Sequence, residues 1–270
     1  MNDSVKDNRL YIETPPVRHN SADLIKALDR FAEKYQIILN SGDCACLTDN
    51  AMGQLSFQGY ELISELALPV KADKIMMHLN TYHSKQELDQ IMAVSRHLGI
   101  QCFLIVTGDG NERLQHLEAE EIGAAKGASV TSVELMQYIK REYSGILYGC
   151  AFNQYEPCEL EFAKLERKLD AGAAFIMTQP VFGGDEIIDQ LIDTHPDTPV
   201  ILGAWMSKNL KPIIDIVGNK AAEYDRFDPM KNLEEITERY QGCGVYLSML
   251  GFGKQYEKAS KIWSKGSSGD

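Results

Sequence analysis

Apolar residues along this chain come in two textures. Short unbroken runs, rich in β-branched, aromatic and sulfur side chains, stand at 9–14 (RLYIET), 43–49 (DCACLTD), 74–80 (KIMMHLN), 102–108 (CFLIVTG), 145–152 (GILYGCAF), 174–179 (AFIMTQ), 199–205 (PVILGAW) and 244–250 (GVYLSML). Between most of them the apolar spacing changes to three and four, the period of a helix with one buried face. In 21–36, Leu24, Ile25, Leu28, Phe31 and Ala32 mark such a face, with Ser21 as the predicted N-cap. At 84–99 the pair Ser84 and Glu87 reads as a capping box and Gly99 as the stop. Helical patterns follow at 132–143, 159–172, 185–195, 209–219 (where Pro212 suits a first turn) and 254–265. After the second run no convincing helix is predicted.

Uninterrupted apolar strands, not alternating ones, are what a parallel sheet covered on both faces requires. Eight such units in a chain of 270 residues predict a single (β/α)8 TIM barrel, a fold that typically takes about 250 residues. The expected boundaries are a catalytic barrel over 1–263 and a disordered tail over 264–270, with no linker and no internal repeat.

Composition narrows the chemistry. A hydrophobic share of 44% suffices for a real core, and a net charge of -12 without a basic block argues against nucleic acid or an anionic membrane surface as partner. The polar start and the lack of any apolar run near the roughly 20 residues needed to cross a bilayer predict a cytoplasmic protein. Of the six cysteines, Cys44 and Cys46 form the closest pair, but no second pair stands at zinc-site spacing, so reduced core thiols are expected and no metal. Phosphate loops, dinucleotide fingerprints, nucleophile elbows and paired-histidine zinc motifs are all missing from the sequence.

Barrel enzymes place their chemistry at the C-terminal ends of the strands. Those positions carry Glu13, Thr48, His78, Asp109, Phe152 and Gln179. Each has an ordinary structural reading. Glu13 reads as a solvated loop acid, Asp109 as a turn residue between glycines, His78 as a packed histidine, and Gln179 as a group that satisfies loop backbone. Their convergence on one set of strand ends favours a site. Two carboxylic acids, several polar anchors and no evident nucleophile suit a reaction in which a cofactor does the hard chemistry.

In order along the chain, IETPP, MHLN, IVTGD, ERKLDAGAAFIMTQPVF and VILGAW followed by NLKPIIDI resemble the methylenetetrahydrofolate reductases, flavin-dependent (β/α)8 barrels. The block at 166–182 is the most specific match. The resemblance implies hydride transfer from NAD(P)H to FAD, and from reduced FAD to 5,10-methylenetetrahydrofolate, giving 5-methyltetrahydrofolate. It makes Glu13 the general acid that helps open the bridged folate. Thr48, Asp109 and Gln179 would hold the folate, and His78, Asp109, Phe152, Arg167 and Lys168 would contact FAD, the last two facing its diphosphate. Glu13 would then need a dry pocket to carry a proton near neutral pH.

The chain departs from the family pattern on the flavin side. Thr107 stands where the family carries Arg, the Gly-Asp is followed by GNERL, and Phe152-Asn153-Gln154-Tyr155-Glu156 replaces the usual aromatic and Pro-Glu-x-His. This leaves open a folate-binding barrel that has lost flavin and acts as a one-carbon or methyl-group transferase, or as a non-redox partner subunit. A methyltransferase or electron-transfer subunit is the expected protein partner, with self-association into a homo-oligomer a further expectation.

Overall fold

A computed structural model describes residues 9–110, 114–127, 129–217 and 227–266. Eight parallel strands close in chain order into a barrel. They are β1 (Leu10–Thr14), β2 (Cys44–Leu47), β3 (Ile75–Leu79), β4 (Cys102–Ile105), β5 (Leu147–Phe152), β6 (Ile176–Pro180), β7 (Val200–Trp205) and β8 (Gly244–Ser248). The helices are α1 (Leu24–Ser41), α2 (Gly59–Glu65), α3 (Lys85–His97), α4 (Ser132–Glu142), α5 (Cys158–Asp170), α6 (Glu186–Thr194), α7 (Ile214–Val217), α8 (Pro229–Arg239) and α9 (Phe252–Gly266). The expected (β/α)8 TIM barrel is therefore the fold. Every residue of β2 and of β7 is buried, the consequence of strands covered by side chains within and helices without.

Several boundaries differ from expectation for identifiable reasons. Asp23, not Ser21, caps α1, its carboxylate accepting from the Lys26 N–H at 3.1 Å. Ser21 instead donates to the Arg18 carbonyl at 2.8 Å. The helix runs on to Ser41 because Tyr35, Ile38 and Leu39 prolong its buried stripe, and it stops at Gly42 with φ 94°. The capping box of Ser84 and Glu87 forms as expected. The predicted helix at 209–219 condenses to a 3-10 turn (Lys211–Ile213) and the single turn of α7, and 218–226 lie outside the described residues. The final helix α9 passes the expected boundary at 263 and reaches Gly266, with 267–270 outside the described residues.

Residues 13–150 with 166–174 make one compact unit, and the described parts of 9–12, 151–165 and 175–270 make a second. In the first, α1 buries Phe31, Tyr35, Ile38 and Leu39, and the Tyr35 hydroxyl donates to the Pro69 carbonyl at 2.8 Å. In the second, Phe182, Trp205, Ile213 and Val217 form a cluster over which Tyr155, Leu210 and Phe227 pack. Among the described residues no helix is long and apolar enough to cross a membrane.

Candidate active site

In the first unit the residue after β2 that organises its surroundings is Asp49, 8% exposed. One carboxylate oxygen accepts from the Asn80 N–H at 3.0 Å and from His83 Nε2 at 2.7 Å. The other accepts from Gln58 Nε2 and Asn50 Nδ2, both at 3.3 Å. Asn80 Nδ2 in turn donates to the Asp49 carbonyl at 2.9 Å. Burial works against a charge on His83, but the hydrogen bond with Asp49 and the Asp49 charge outweigh it and raise its pKa above 6.5. Asp49 and His83 are thus a buried hydrogen-bonded pair, ionic whenever His83 is protonated, tying the end of β2 to the segment after β3. Thr48, beside it, is buried, and its hydroxyl makes no hydrogen bond to any described residue.

Glu13, the fourth residue of β1, is half-buried. Its carbonyl oxygen accepts from Lys34 Nζ of α1 at 2.6 Å. On β3, His78 keeps some surface while its Nε2 is fully buried. Burial pushes its pKa down to about 4 against the attraction of Asp49. The imidazole is therefore neutral under physiological conditions, a group that can share a hydrogen bond with a ligand but not pair with its charge.

The Gly108-Asp109-Gly110 turn has a structural cause as well as an exposed acid. Gly108 has φ 87°, and a Cβ there would lie 2.5 Å from the Asn80 side chain. A Cβ on Gly110 would lie 2.4 Å from the Tyr82 hydroxyl oxygen. The glycines thus let the chain pass close to the segment after β3, while Asp109 stays exposed. Gly108→Ala is expected to destabilise the protein by roughly 1–3 kcal/mol through overpacking and backbone strain, read as a lower denaturation midpoint. Thr107 serves the same junction. Its carbonyl accepts from the Thr81 N–H (3.2 Å) and hydroxyl (2.8 Å), and its own hydroxyl accepts from the Ser132 N–H at the start of α4 (3.4 Å).

Arg167 and Lys168 occupy the last turn of α5, not a strand end. Arg167 lines a groove of about 520 Å³ against α4 with Lys140, Arg141, Glu134 and Asp170. The Asp-Ala-Gly-Ala that follows is a helix stop. Gly172 has φ 106°, a Cβ on it would meet the Tyr148 hydroxyl at 2.6 Å, and that hydroxyl donates to the Ala171 carbonyl at 2.8 Å.

In the second unit Gln179 is held by its main chain. Its carbonyl accepts from Gln154 Nε2 at 3.0 Å and from the Thr178 hydroxyl at 2.8 Å. Gly203 of β7 lies so close that a Cβ there would meet the Gln179 and Pro180 backbone at 2.9 Å. The pairing of β6 with β7 shifts register between Met177 and Pro180, the kind of irregularity that re-aims a side chain. The Gln179 amide is only half-buried and makes no hydrogen bond to any described residue, so it is positioned yet uncommitted. Gln154, 2% exposed, also donates to the Pro180 carbonyl at 3.0 Å, while its Oε1 is buried without a partner among the described residues. Phe152 is fully buried, its ring edge-on to Phe162 at 5.2 Å.

The family model for methylenetetrahydrofolate reductase matches residues 13–218, well over half of the chain. The chain belongs to the methylenetetrahydrofolate reductase family. The match starts at Glu13 and takes in Thr48, His78, Asp109, Phe152, Arg167, Lys168 and Gln179, leaving α8, β8 and α9 beyond it. Solved structures share the fold at low identity. An uncharacterised protein from Clostridium thermocellum that binds two copies of 5-methyl-5,6,7,8-tetrahydrofolic acid is 10% identical with a TM-score of 0.61, over 98% of this chain and 96% of that one. The dihydropteroate synthase of Yersinia pestis is 10% identical with a TM-score of 0.52, over 98% and 95%. A 2,3-dimethylmalate lyase of the PEP mutase/isocitrate lyase superfamily is 12% identical with a TM-score of 0.52, over 97% and 83%. No curated protein matches the chain.

Within this family framework, three residues that hold the strand ends were not singled out by sequence reasoning: Lys34, Asp49 and Gln154. Lys34 did leave a signal, a cation among Phe31, Tyr35 and Ile38 on the inward face of α1. Asp49 and Gln154 left none beyond their position after an apolar run. Among the described residues no group of His, Cys, Asp and Glu is placed to hold a metal ion.

Proposed function

We propose that the protein is a flavin-dependent reductase that converts 5,10-methylenetetrahydrofolate to 5-methyltetrahydrofolate, with NAD(P)H or a partner-supplied electron donor. The observation that carries this reading is the family match, which opens on Glu13 and includes Thr48, Asp109 and Gln179. Folate as ligand has further support in the Clostridium thermocellum neighbour, which shares the barrel and binds a methylated tetrahydrofolate.

The chain's own groups have distinct work in such a reaction. Glu13 delivers a proton from its carboxyl to the bridging nitrogen as the methylene bridge opens, which generates the electrophile. Gln179 offers both an amide donor and an acceptor to the pterin edge, from a backbone that Gln154 and Thr178 hold still. Asp109 accepts from pterin N–H groups, and the uncommitted Thr48 hydroxyl is available to the folate. Bound FAD would supply the hydride carrier between NAD(P)H and the folate. The cations that suit its diphosphate are Arg167 and Lys168 at the end of α5, Arg167 sharing a groove with Lys140 and Arg141, and the neutral His78 suits a hydrogen bond to the flavin.

A second reading, a folate-binding barrel acting as a one-carbon or methyl-group transferase, is favoured by two observations on the flavin side. Thr107, which has no cation to offer a diphosphate, accepts at its hydroxyl from the Ser132 N–H, and the Phe152 ring is packed against Phe162. A visible spectrum during FAD titration separates the two readings. The reductase is expected to bind FAD, bleach with NADH or NADPH, and recover its colour with 5,10-methylenetetrahydrofolate. A protein that ignores FAD yet binds tetrahydrofolate is the transferase or a non-redox subunit.

A further inference from the structure

Lys34 is out of place by the ordinary rules of a surface helix. It stands three residues after Phe31 and four before Ile38, on the stripe that α1 buries. A long cationic side chain on such a stripe is costly to desolvate unless something accepts its protons. The structure supplies an acceptor at the end of β1, the Glu13 carbonyl at 2.6 Å from Nζ. Two titratable groups whose charge acts on the ammonium are the Glu13 carboxyl, from β1, and the Cys46 thiol, from β2. Cys46 lies within hydrogen-bonding reach of the Cys44 carbonyl, at 4.0 Å, and also feels Cys102 on β4. Burial pushes the Cys46 thiol well above its ordinary range, so it stays neutral. Of these two, Glu13 is the one that can carry a charge opposite to that of Lys34.

We infer that Lys34 is a positioning residue for Glu13, which fixes the Glu13 peptide by hydrogen bond and sets by its charge the pH at which the Glu13 carboxyl gives up its proton. The inference rests on the role of Glu13 as proton donor for its functional meaning, but not for its physical content. Two features support it. Burial brings the Lys34 ammonium down to about 8, against the pull of Glu13 and Cys46, so the cation is itself near its titration range. A neighbouring cation favours the ionised carboxylate, opposing the dry-pocket effect that a general acid needs. The balance of the two would tune the acid.

The test uses three variants. Lys34→Met removes charge and donor, Lys34→Gln keeps a donor without charge, and Lys34→Arg keeps the charge. The Glu13 carboxyl is followed by infrared difference spectroscopy across pH, its band assigned by subtraction of Glu13→Gln. In parallel, the pH profile of the folate half-reaction is measured. Loss of the charge is expected to raise the Glu13 titration midpoint by about one pH unit or more, in both Lys34→Met and Lys34→Gln. The basic limb of the rate profile should move with it, and Lys34→Arg should restore the wild-type midpoint. A midpoint unmoved in the two uncharged variants overturns the inference, and an equal fall in rate at every pH with no moved limb marks Lys34 as merely structural. If Glu13→Gln keeps full folate reduction while the infrared midpoint still moves, the pairing stands and the proton-donor reading of Glu13 falls.

Discussion

Glu13→Gln is expected to slow reduction of 5,10-methylenetetrahydrofolate by a factor of about 10² to 10⁴, the usual range for loss of a positioned general acid. Glutamine keeps the size and hydrogen-bonding reach of the side chain but has no proton to give. If the protein is the proposed flavin-dependent reductase, reduction of its flavin by NADH or NADPH should continue at the wild-type rate, because that step would need no proton from Glu13. Stopped-flow absorbance resolves the two half-reactions separately. Equal loss in both would mean a damaged fold, and loss in neither would remove Glu13 from the chemistry. Folate binding should change little, since a general acid contributes as the bridge opens and not in the ground state.

The second large effect is on stability. Asp49→Ala removes the acceptor shared by the Asn80 N–H, His83, Gln58 and Asn50 and leaves a buried imidazole without its counter-charge. Breaking a buried pair from one side costs about 3–5 kcal/mol, which for a chain of this size lowers the melting temperature by roughly 10 °C. The pair also predicts a pH dependence. Its folded imidazole titrates above 6.5, so its stabilisation is fully present below pH 6.5 and is lost as pH rises through the raised value. Asp49→Asn should flatten that alkaline slope. His78 acts in the opposite direction: its folded value is about 4, so stability is present above pH 6.5 and is lost as pH falls toward 4. Denaturant melts across pH in wild type and Asp49→Asn check both slopes, and an alkaline slope unchanged by the substitution would refute the assignment to His83.

Much of the barrel could be read from the chain because its strands are short, apolar and evenly spaced. The eight runs named from the sequence all became strands, with ends displaced by a few residues. Two helices escaped. In α2 a weak seven-residue pattern is held by a capping box through Gln58 and Glu61, which local spacing does not advertise. In α8 the signal was present, with Asp228 as N-cap, Pro229 in the first turn and Leu233 and Ile236 on the buried face. It was obscured by the stronger-looking run at 209–219. Helices that depend on tertiary packing for most of their stability need not show strong patterns of their own.

What the sequence by itself determined is the alternation of buried strand and one-faced helix, hence the parallel barrel, and the identity of the groups at its strand ends. Burial of uninterrupted apolar runs admits few other solutions, and the order of motifs from Glu13 to Gln179 is a property of the chain alone. Only the tertiary structure decided what each group is free to do. It showed that glycines flank Asp109 because Asn80 and Tyr82 leave no room for a Cβ, and that Gln179 is held by its main chain with its amide uncommitted. It also turned Asp49 and His83, 34 positions apart, into one hydrogen-bonded pair, and brought Lys34 to the Glu13 carbonyl across 21 positions. The reason is physical: hydrophobic periodicity is local and survives in the sequence, whereas desolvation and electrostatics depend on which distant groups folding brings together.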